Sequence, residues 1–304
     1  MIEKSKLNAL VIDIKGDRGL IPYPSKLPLA AKAGALKLHT IPDLKALVTT
    51  LKAKNLYLIA RIVTFKDDLL ATAHPEWAIR NPGKAVVEGP RGTGLDRSPP
   101  QGGAGTTSIG VAEEAAAAGF DEVQFDYIRF PDAGGGVVFA QATDEESRVA
   151  AITDFLREAA APAGALQRVH RRWMPSAMSA GTRTTPASGQ RIEDLATVVD
   201  IISPMLYPSG FQFGIPGYRN PVQNPYEIVY KSLEECKRRT AGIAGALPAV
   251  AAGIYRLCLR REGISAPTRS ASRPRRPRDA GTDGWMLWNP RNVYTTNDIK
   301  AEAP

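Results

Sequence analysis

Apolar, strand-like segments alternate with amphipathic, helix-like segments along this chain. The first strand is predicted at residues 8–15, where a β-branched apolar run ends at Gly16. A helix is predicted at residues 41–55, where leucines recur at helical spacing behind Asp43. Further strands are predicted at residues 56–65, 122–130, 198–208 and 283–290. Strands that alternate with helices indicate parallel βαβ units.

The length and composition of the chain favour one large α/β domain. A chain of 304 residues with 43% apolar residues can bury a substantial core. No G-x-G-x-x-G turn follows the first predicted strand, which argues against an open dinucleotide-binding sheet. We therefore expect residues 1–304 to form a single (β/α)8 TIM-barrel domain.

The positive charge of the chain is local. The net charge of +8 would ordinarily suggest a nucleic acid or another anionic partner. However, residues 168–188 contain four arginines and no acidic residue, and residues 248–278 contain eight arginines and only Glu262. The rest of the chain is therefore net negative, and we expect no nucleic-acid partner.

Several other classes of protein are excluded by the sequence. The two cysteines form no motif, and the three histidines show no metal-ligand spacing, so we expect no metal and no cofactor. No apolar run is long enough to cross a membrane. The residues after Met1 lack the apolar core of a signal peptide, and the compartment is left open.

Polar and aromatic residues collect where the predicted strands end, which is where barrel enzymes place their working residues. These residues are Asp13, Lys15, Arg61, Asp126, Arg129, Tyr207, Trp288 and Asn289. Gln124 shares a strand face with Asp126, because side chains alternate along a strand. Aromatic planes stack on sugar rings, and charged groups bind hydroxyls and assist bond cleavage. The pattern favours a carbohydrate pocket, with Asp126 and Asp13 as catalytic candidates and the other residues as substrate contacts.

Each candidate also has a purely structural interpretation. Asp126 could cap the loop after its strand or pair with a nearby arginine. Arg61 lies inside an apolar strand and needs a carboxylate partner such as Asp13 or Asp126, and that ion pair could serve stability alone. Asp13 could belong to a structural turn, and Tyr207 and Trp288 could be core aromatics.

Several motifs carry a resemblance to a known family. They are "NALVIDIKGDRGLIPYPS", "YLIARIVTFKDDLLATAHPEWAI", "GFDEVQFDYIRFP" and "DAGTDGWMLWNPRNVYT". Together they resemble a bacterial family of putative glycoside hydrolase domains, over most of the chain and in the same order. The resemblance implies a TIM barrel, a carbohydrate substrate and acid/base chemistry by carboxylates. Family members often carry an export signal or further domains upstream, so we expect this chain to be truncated at its N-terminus relative to the family.

Three segments depart from the family pattern, at residues 93–107, 171–189 and 247–278. Back-translated with GC-rich codons and read one base along, "LDRSPPQGG" becomes "WTDPHRKEV" and "PAVAAGIYRLC" becomes "RPWLQGYTDYA", both typical of the family. We hypothesise that paired insertions and deletions in the gene have replaced strands or strand ends three, five and seven with sequence translated out of frame. GC-rich DNA translated out of frame is rich in arginine codons, which also explains the two basic segments.

The frame hypothesis bears on the second catalytic carboxylate that glycoside hydrolysis requires. By the resemblance, this group is the aspartate of the fifth strand, which would fall at the junction of Trp173 and Met174. The chain as written lacks it. Three interpretations therefore stay open: a glycoside hydrolase, a noncatalytic carbohydrate-binding or wall-associated barrel, and a chain that makes no stable protein.

We expect long-read sequencing of the gene and its upstream region to restore one reading frame through these three segments. The restored frame should recover the fifth-strand aspartate. A single clean frame that reproduces the present sequence, together with in-frame relatives carrying the same residues, would contradict the hypothesis.

Overall fold

The description of the fold rests on a computed structural model. The residues it describes are 7–81, 83, 88–89, 92–93, 103–131, 137–139, 144–160, 170–173, 188–211, 214–243, 251–254, 282, 284–289, 292 and 294. Most of the three segments that depart from the family pattern lies outside these residues.

The strands of the described residues are β1 (Ala9–Lys15), β2 (Tyr57–Val63), β3 (Glu88–Gly89), β4 (Gly92–Thr93), β5 (Glu122–Asp126), β6 (His170–Trp173), β7 (Ile201–Ile202), β8 (Ala251–Ile254) and β9 (Gly284–Leu287). The main sheet consists of five parallel strands in the order β1, β2, β5, β6, β7. Strands β8 and β9 form a separate parallel pair, and β3 and β4 form an antiparallel pair. The expected mixed α/β fold with a parallel sheet is confirmed.

Helices occupy the crossovers between the parallel strands. They are α1 (Pro28–Lys32), α2 (Leu44–Lys52), α3 (Asp68–Ala73), α4 (Gly103–Ala118), α5 (Glu145–Ala159), α6 (Ile192–Leu195) and α7 (Pro225–Thr240). Short 3-10 turns lie at Ala35–Lys37, Pro75–Trp77 and Pro208–Gly210. Helix α2 begins where the sequence predicts it, because the Asp43 side chain accepts a hydrogen bond from the Ala46 amide (2.8 Å) and caps the helix.

The core lies on both sides of the central strands. Every residue of β5 is buried, and so is every residue of β2 after Tyr57. Parallel strands covered on both faces read as nearly continuous apolar runs, which is why the sequence identifies them well. Helix α4 contacts β1, β2 and β5, and buries Val111, Ala112 and Ala115.

The pairing of β2 with β5 corrects the expected strand numbering. These strands are direct neighbours, in register from Ile59↔Glu122 to Val63↔Asp126. Residues 93–107 therefore supply no third strand between them, and residues from Gly103 onward belong to α4 instead. The strand that carries Asp126 is the third of the main sheet. Of the other two departing segments, one overlaps β6 and the other contains β8.

A buried ion pair fixes the end of β1. The Lys15 side chain, 1% exposed, places its Nζ 2.8 Å from Asp67 Oδ2 and donates to the Val63 carbonyl oxygen at 2.7 Å. Asp67 also accepts a hydrogen bond from the Leu70 amide (2.9 Å) and so caps α3. One carboxylate thereby ties β1 to the start of α3.

Gly19 makes this arrangement sterically possible. Its φ is +86°, and a Cβ added there would lie 1.9 Å from Asp67 Oδ1. A side chain at this position would push Asp67 away from Lys15. The loop at residues 16–20, which leads out of β1, therefore depends on glycine at position 19.

We predict that Gly19→Ala lowers the free energy of unfolding by about 3 kcal/mol, through backbone strain and disruption of the buried pair. Gly217→Ala is the matched control: its φ is +84°, but a Cβ there would meet no atom within 4 Å. The control should lose only about 1 kcal/mol. Urea denaturation measures both values, and equal losses would refute the steric argument.

Candidate functional site

Arg61 stands at the centre of the candidate site. It lies on β2, opposite Asp13 of β1 and Gln124 of β5 in the strand register. Paired residues of neighbouring strands share a face of the sheet, so the three side chains project to the same side. The guanidinium is only 4% exposed, and a charge this deeply buried requires partners.

Two carboxylates supply these partners. Arg61 Nε donates to Asp126 Oδ2 at 2.8 Å, and its Nη2 lies 2.7 Å from the same oxygen. Arg61 Nη1 donates to Asp13 Oδ1 at 3.0 Å. Asp126 is 7% exposed, whereas the Asp13 side chain is 51% exposed. The cluster therefore has a buried ion pair at its base and a solvent-accessible carboxylate above it.

The electrostatics keep Arg61 charged. Burial lowers the pKa of the guanidinium, but the charges of Asp126 and Asp13 and their hydrogen bonds outweigh it, so that the pKa of Arg61 is raised above its ordinary value. The arginine is consequently a permanent cation that orients both carboxylates.

Trp288 covers the guanidinium. The Arg61 Cζ lies 4.7 Å from the centroid of the Trp288 ring, within the range of a cation–π interaction. Trp288 directly follows β9 and is partly exposed. The next backbone amide, that of Asn289, donates to the Tyr294 hydroxyl at 3.0 Å. The carboxyl end of β9 is thus fixed beside the carboxyl end of β2.

Gln124 is a buried polar residue without a hydrogen-bond partner among the residues that the structure describes. The residue is 0% exposed, and neither its Oε1 nor its Nε2 makes a hydrogen bond there. Buried amides are nearly always satisfied, so an orphan at this position marks a place where a water or a ligand oxygen would bind.

Sequence reasoning missed a second layer of the cluster, which consists of Asp17, Lys66 and Tyr127. Asp17 Oδ2 accepts a hydrogen bond from Lys66 Nζ at 3.0 Å, and its Oδ1 lies 3.7 Å from Arg61 Nη2. Lys66 Nζ also lies 5.0 Å from the centroid of the Tyr127 ring. All three residues stand just beyond the ends of β1, β2 and β5. The expectation that functional residues lie where strands end would have identified these three residues if it had included the loops that follow the strands.

Tyr127 has an unusual backbone conformation. Its φ is +56°, a region that costs a residue with a Cβ about 1–2 kcal/mol. This turn lets the Tyr127 amide donate to Asp126 Oδ1 at 2.8 Å. Burial, followed by the charges of Asp17 and Asp126, raises the pKa of the Tyr127 phenol. Both oxygens of Asp126 are thus engaged, one by Arg61 and the other by the peptide of Tyr127.

The remaining sequence candidates are Lys15, Arg129 and Tyr207. Lys15 is committed to its buried partner Asp67 beneath the loop. Arg129 is partly exposed and lies three residues beyond the end of β5. Tyr207 precedes the 3-10 turn Pro208–Gly210 after β7, which is two strands from β5 in the sheet order.

Within the described ranges, no group of three His, Cys, Asp or Glu side chains could hold a metal ion. No helix in the same part of the chain has the length and apolar character needed to cross a membrane.

Known sequences and structures include proteins that are similar to this chain. The sequence matches the family described as "Putative glycosyl hydrolase domain" over residues 1–294. No curated protein matches the chain. A hypothetical protein from Ruminiclostridium thermocellum is 30% identical, with a match that covers 52% of this chain and 80% of that chain at a TM-score of 0.45.

Two solved structures of glycoside hydrolases are also similar. Alpha-L-fucosidase isoenzyme 2 from Paenibacillus thiaminolyticus is 13% identical, with coverage of 98% of this chain and 43% of that chain and a TM-score of 0.56. The glycoside hydrolase domain of PelA from Pseudomonas aeruginosa is 14% identical, with coverage of 92% and 94% and a TM-score of 0.48. The likeness to the fucosidase is one of fold, and this chain spans less than half of the fucosidase chain.

We predict that Arg61→Met destabilises the protein by about 3–5 kcal/mol, because it leaves the buried carboxylate of Asp126 uncompensated. Asp13→Asn removes the other partner of the same guanidinium, but at a half-exposed position that solvent screens, and should cost less than about 1 kcal/mol. Thermal and urea unfolding of both variants measure the difference. Similar losses of stability in the two variants would show that burial does not determine the relative strength of these ion pairs.

Proposed function

Because this chain belongs to the family of putative glycosyl hydrolase domains, we propose that residues 1–304 form one barrel domain that cleaves a glycosidic bond of a poly- or oligosaccharide. The observation that carries this proposal is the Arg61 cluster. A buried guanidinium joins Asp126 and Asp13 beneath the partly exposed Trp288, at the carboxyl ends of three strands. Barrel enzymes place their active sites at this end of the sheet.

The contact between Arg61 and Trp288 supports closure of the barrel. In a (β/α)8 barrel, the last strand lies beside the first. Trp288 follows β9 and packs on a residue of β2, which is the immediate neighbour of β1. This contact is expected if the five-stranded sheet continues through β8 and β9 and returns to β1.

The proposed chemistry assigns Asp126 the role of nucleophile or general base. Its carboxylate is held in one orientation by the Arg61 guanidinium and by the Tyr127 amide. Asp13 is the candidate second carboxylate, because it is accessible and close to Asp126 through their shared guanidinium. The two carboxyl groups of glycosidases lie about 5 to 9.5 Å apart, and the shorter separations accompany retention of configuration.

Substrate contacts are assigned to the remaining residues at the strand ends. The partly exposed rings of Trp288 and Tyr207 would stack on sugar rings. Asn289 and Arg129 would bind hydroxyl groups, and the orphan amide of Gln124 would bind a hydroxyl or a water beneath Asp126. Lys15 would contribute indirectly, through the loop that it anchors.

A specific observation favours a second candidate, carbohydrate binding without hydrolysis. Glycoside hydrolysis also requires a protonated carboxyl as general acid. The carboxylates of Asp13, Asp17 and Asp126 are each held in an ion pair with Arg61 or Lys66, so each already has a charged structural partner. The sequence of residues 174–187, which follows β6, contains no acidic residue. A binding domain would need only the aromatic platforms and the hydrogen-bonding groups.

We predict that Asp126→Asn lowers the release of reducing ends from oligosaccharides by roughly 10²–10⁴-fold and leaves their binding intact. Asparagine keeps an oxygen that accepts from Arg61, and Asp13 remains as a charged partner of the guanidinium, so the fold should survive. The matched control is Asp154→Asn, an exposed aspartate on α5 that pairs with Arg157, and it should retain full activity.

The measurement compares reducing-end release and equilibrium binding over one panel of α- and β-linked oligosaccharides. Hydrolysis that persists in Asp126→Asn would refute the assignment of Asp126. Binding by the unmodified protein without any hydrolysis would favour the noncatalytic candidate.

A further inference from the structure

The backbone of Tyr127 requires an explanation beyond the turn that ends β5. Its φ of +56° is rare for residues other than glycine, and is an outlier for a bulky side chain. The other non-glycine residues with positive φ in the described part of the chain are Asn55 and Asn292, and asparagine tolerates this region. Strain of this kind persists where the surrounding structure imposes it, often at functional sites.

Hydrophobic packing does not account for the strain. Phe125, Ile128 and Phe130, on either side of Tyr127, are at most 1% exposed and belong to the core. Tyr127 is partly exposed and lies outside the core cluster. The left-handed turn therefore directs a large aromatic side chain away from the apolar interior and toward the ion-pair cluster.

The surroundings of the side chain suit a hydrogen-bond donor. The Lys66 amine lies 5.0 Å from the ring centroid, and Asp17 and Asp126 are the carboxylates that act on the phenol. Burial and these two negative charges outweigh the opposing charges of Lys66 and Arg61 and raise the pKa of Tyr127, which keeps the hydroxyl protonated at neutral pH. A neutral phenol can donate one hydrogen bond to a ligand oxygen.

We infer that Tyr127 is a further catalytic residue, whose phenol donates a hydrogen bond to a hydroxyl of the sugar ring bound at Asp126. The inference rests on the proposed function and deepens it. In glycosidases, hydrogen bonds to the hydroxyl beside the reacting carbon strengthen in the transition state. The strained backbone serves both groups at once, because the same turn gives the peptide N–H to Asp126 and directs the phenol toward the substrate.

The test separates hydroxyl, ring and backbone. Tyr127→Phe removes only the hydroxyl, and should keep the melting temperature while it lowers kcat/KM by about 10- to 100-fold. Tyr127→Gly removes the ring and relieves the strain, and should lower kcat/KM at least as much without loss of melting temperature. Asn55→Gly is the matched control: it relieves the same φ of +56° before β2, at the opposite end of the strand, and should leave kcat/KM unchanged.

The assay measures reducing-end release from the oligosaccharide that the unmodified protein cleaves fastest, together with thermal unfolding. Wild-type kcat/KM in Tyr127→Phe would overturn the inference. So would a fall in melting temperature in Tyr127→Gly with activity lost only in proportion to the unfolded fraction, because the ring would then be structural.

Failure of the proposed function gives a different pattern. If the unmodified protein cleaves none of the oligosaccharides, their equilibrium binding to it and to Tyr127→Phe is compared. Weaker binding by Tyr127→Phe would uphold the hydrogen bond to sugar while hydrolysis is rejected. Equal binding by the two proteins, or no binding by either, would overturn the inference.

Discussion

The organisation of the site depends on one buried charge. Arg61 occupies the middle of a parallel sheet, where an unpaired guanidinium would be prohibitively costly. Its demand for partners holds Asp126 and Asp13 in place and gives Trp288 a cation to cover. These contacts bring the ends of β1, β2, β5 and β9 to one point. Arg61 therefore has two roles: its ion pairs stabilise the fold, and they set the geometry of the proposed catalytic site. Its burial alone does not distinguish these roles.

Sequence reasoning recovered the parts of this arrangement that follow from periodicity. The apolar runs of β1, β2 and β5 locate the strands, and alternation places Gln124 and Asp126 on one face. The need of Arg61 for a carboxylate was also visible, because a charge in an apolar strand has few alternatives. Asp13 and Asp126 are the partners that the sequence predicts, and Arg61 pairs with both. The register that brings them together is a long-range property, which the sequence does not reveal. The direct pairing of β2 with β5 escaped prediction for the same reason.

The loops were harder to predict than the strands. Nothing in the spacing of Asp17 and Lys66 reveals that they meet, and the left-handed turn at Tyr127 has no glycine or asparagine to announce it. Lys15 illustrates a different difficulty. It stands at a strand end like the other candidates, yet its side chain is buried against Asp67. Position along a strand does not determine whether a side chain faces solvent or supports the backbone.

The long crossover between β2 and β5 has an evolutionary consequence. The ladder that holds Arg61 and Asp126 together is specified by residues 57–63 and 122–126, with α4 packed over it. The cost of closing a loop rises only slowly with its length. A change in the length of the chain between α3 and α4 should therefore leave the register of the ladder intact. The crossover is thus a place at which an insertion is tolerated, because the pairing that joins Arg61 to Asp126 does not depend on its length.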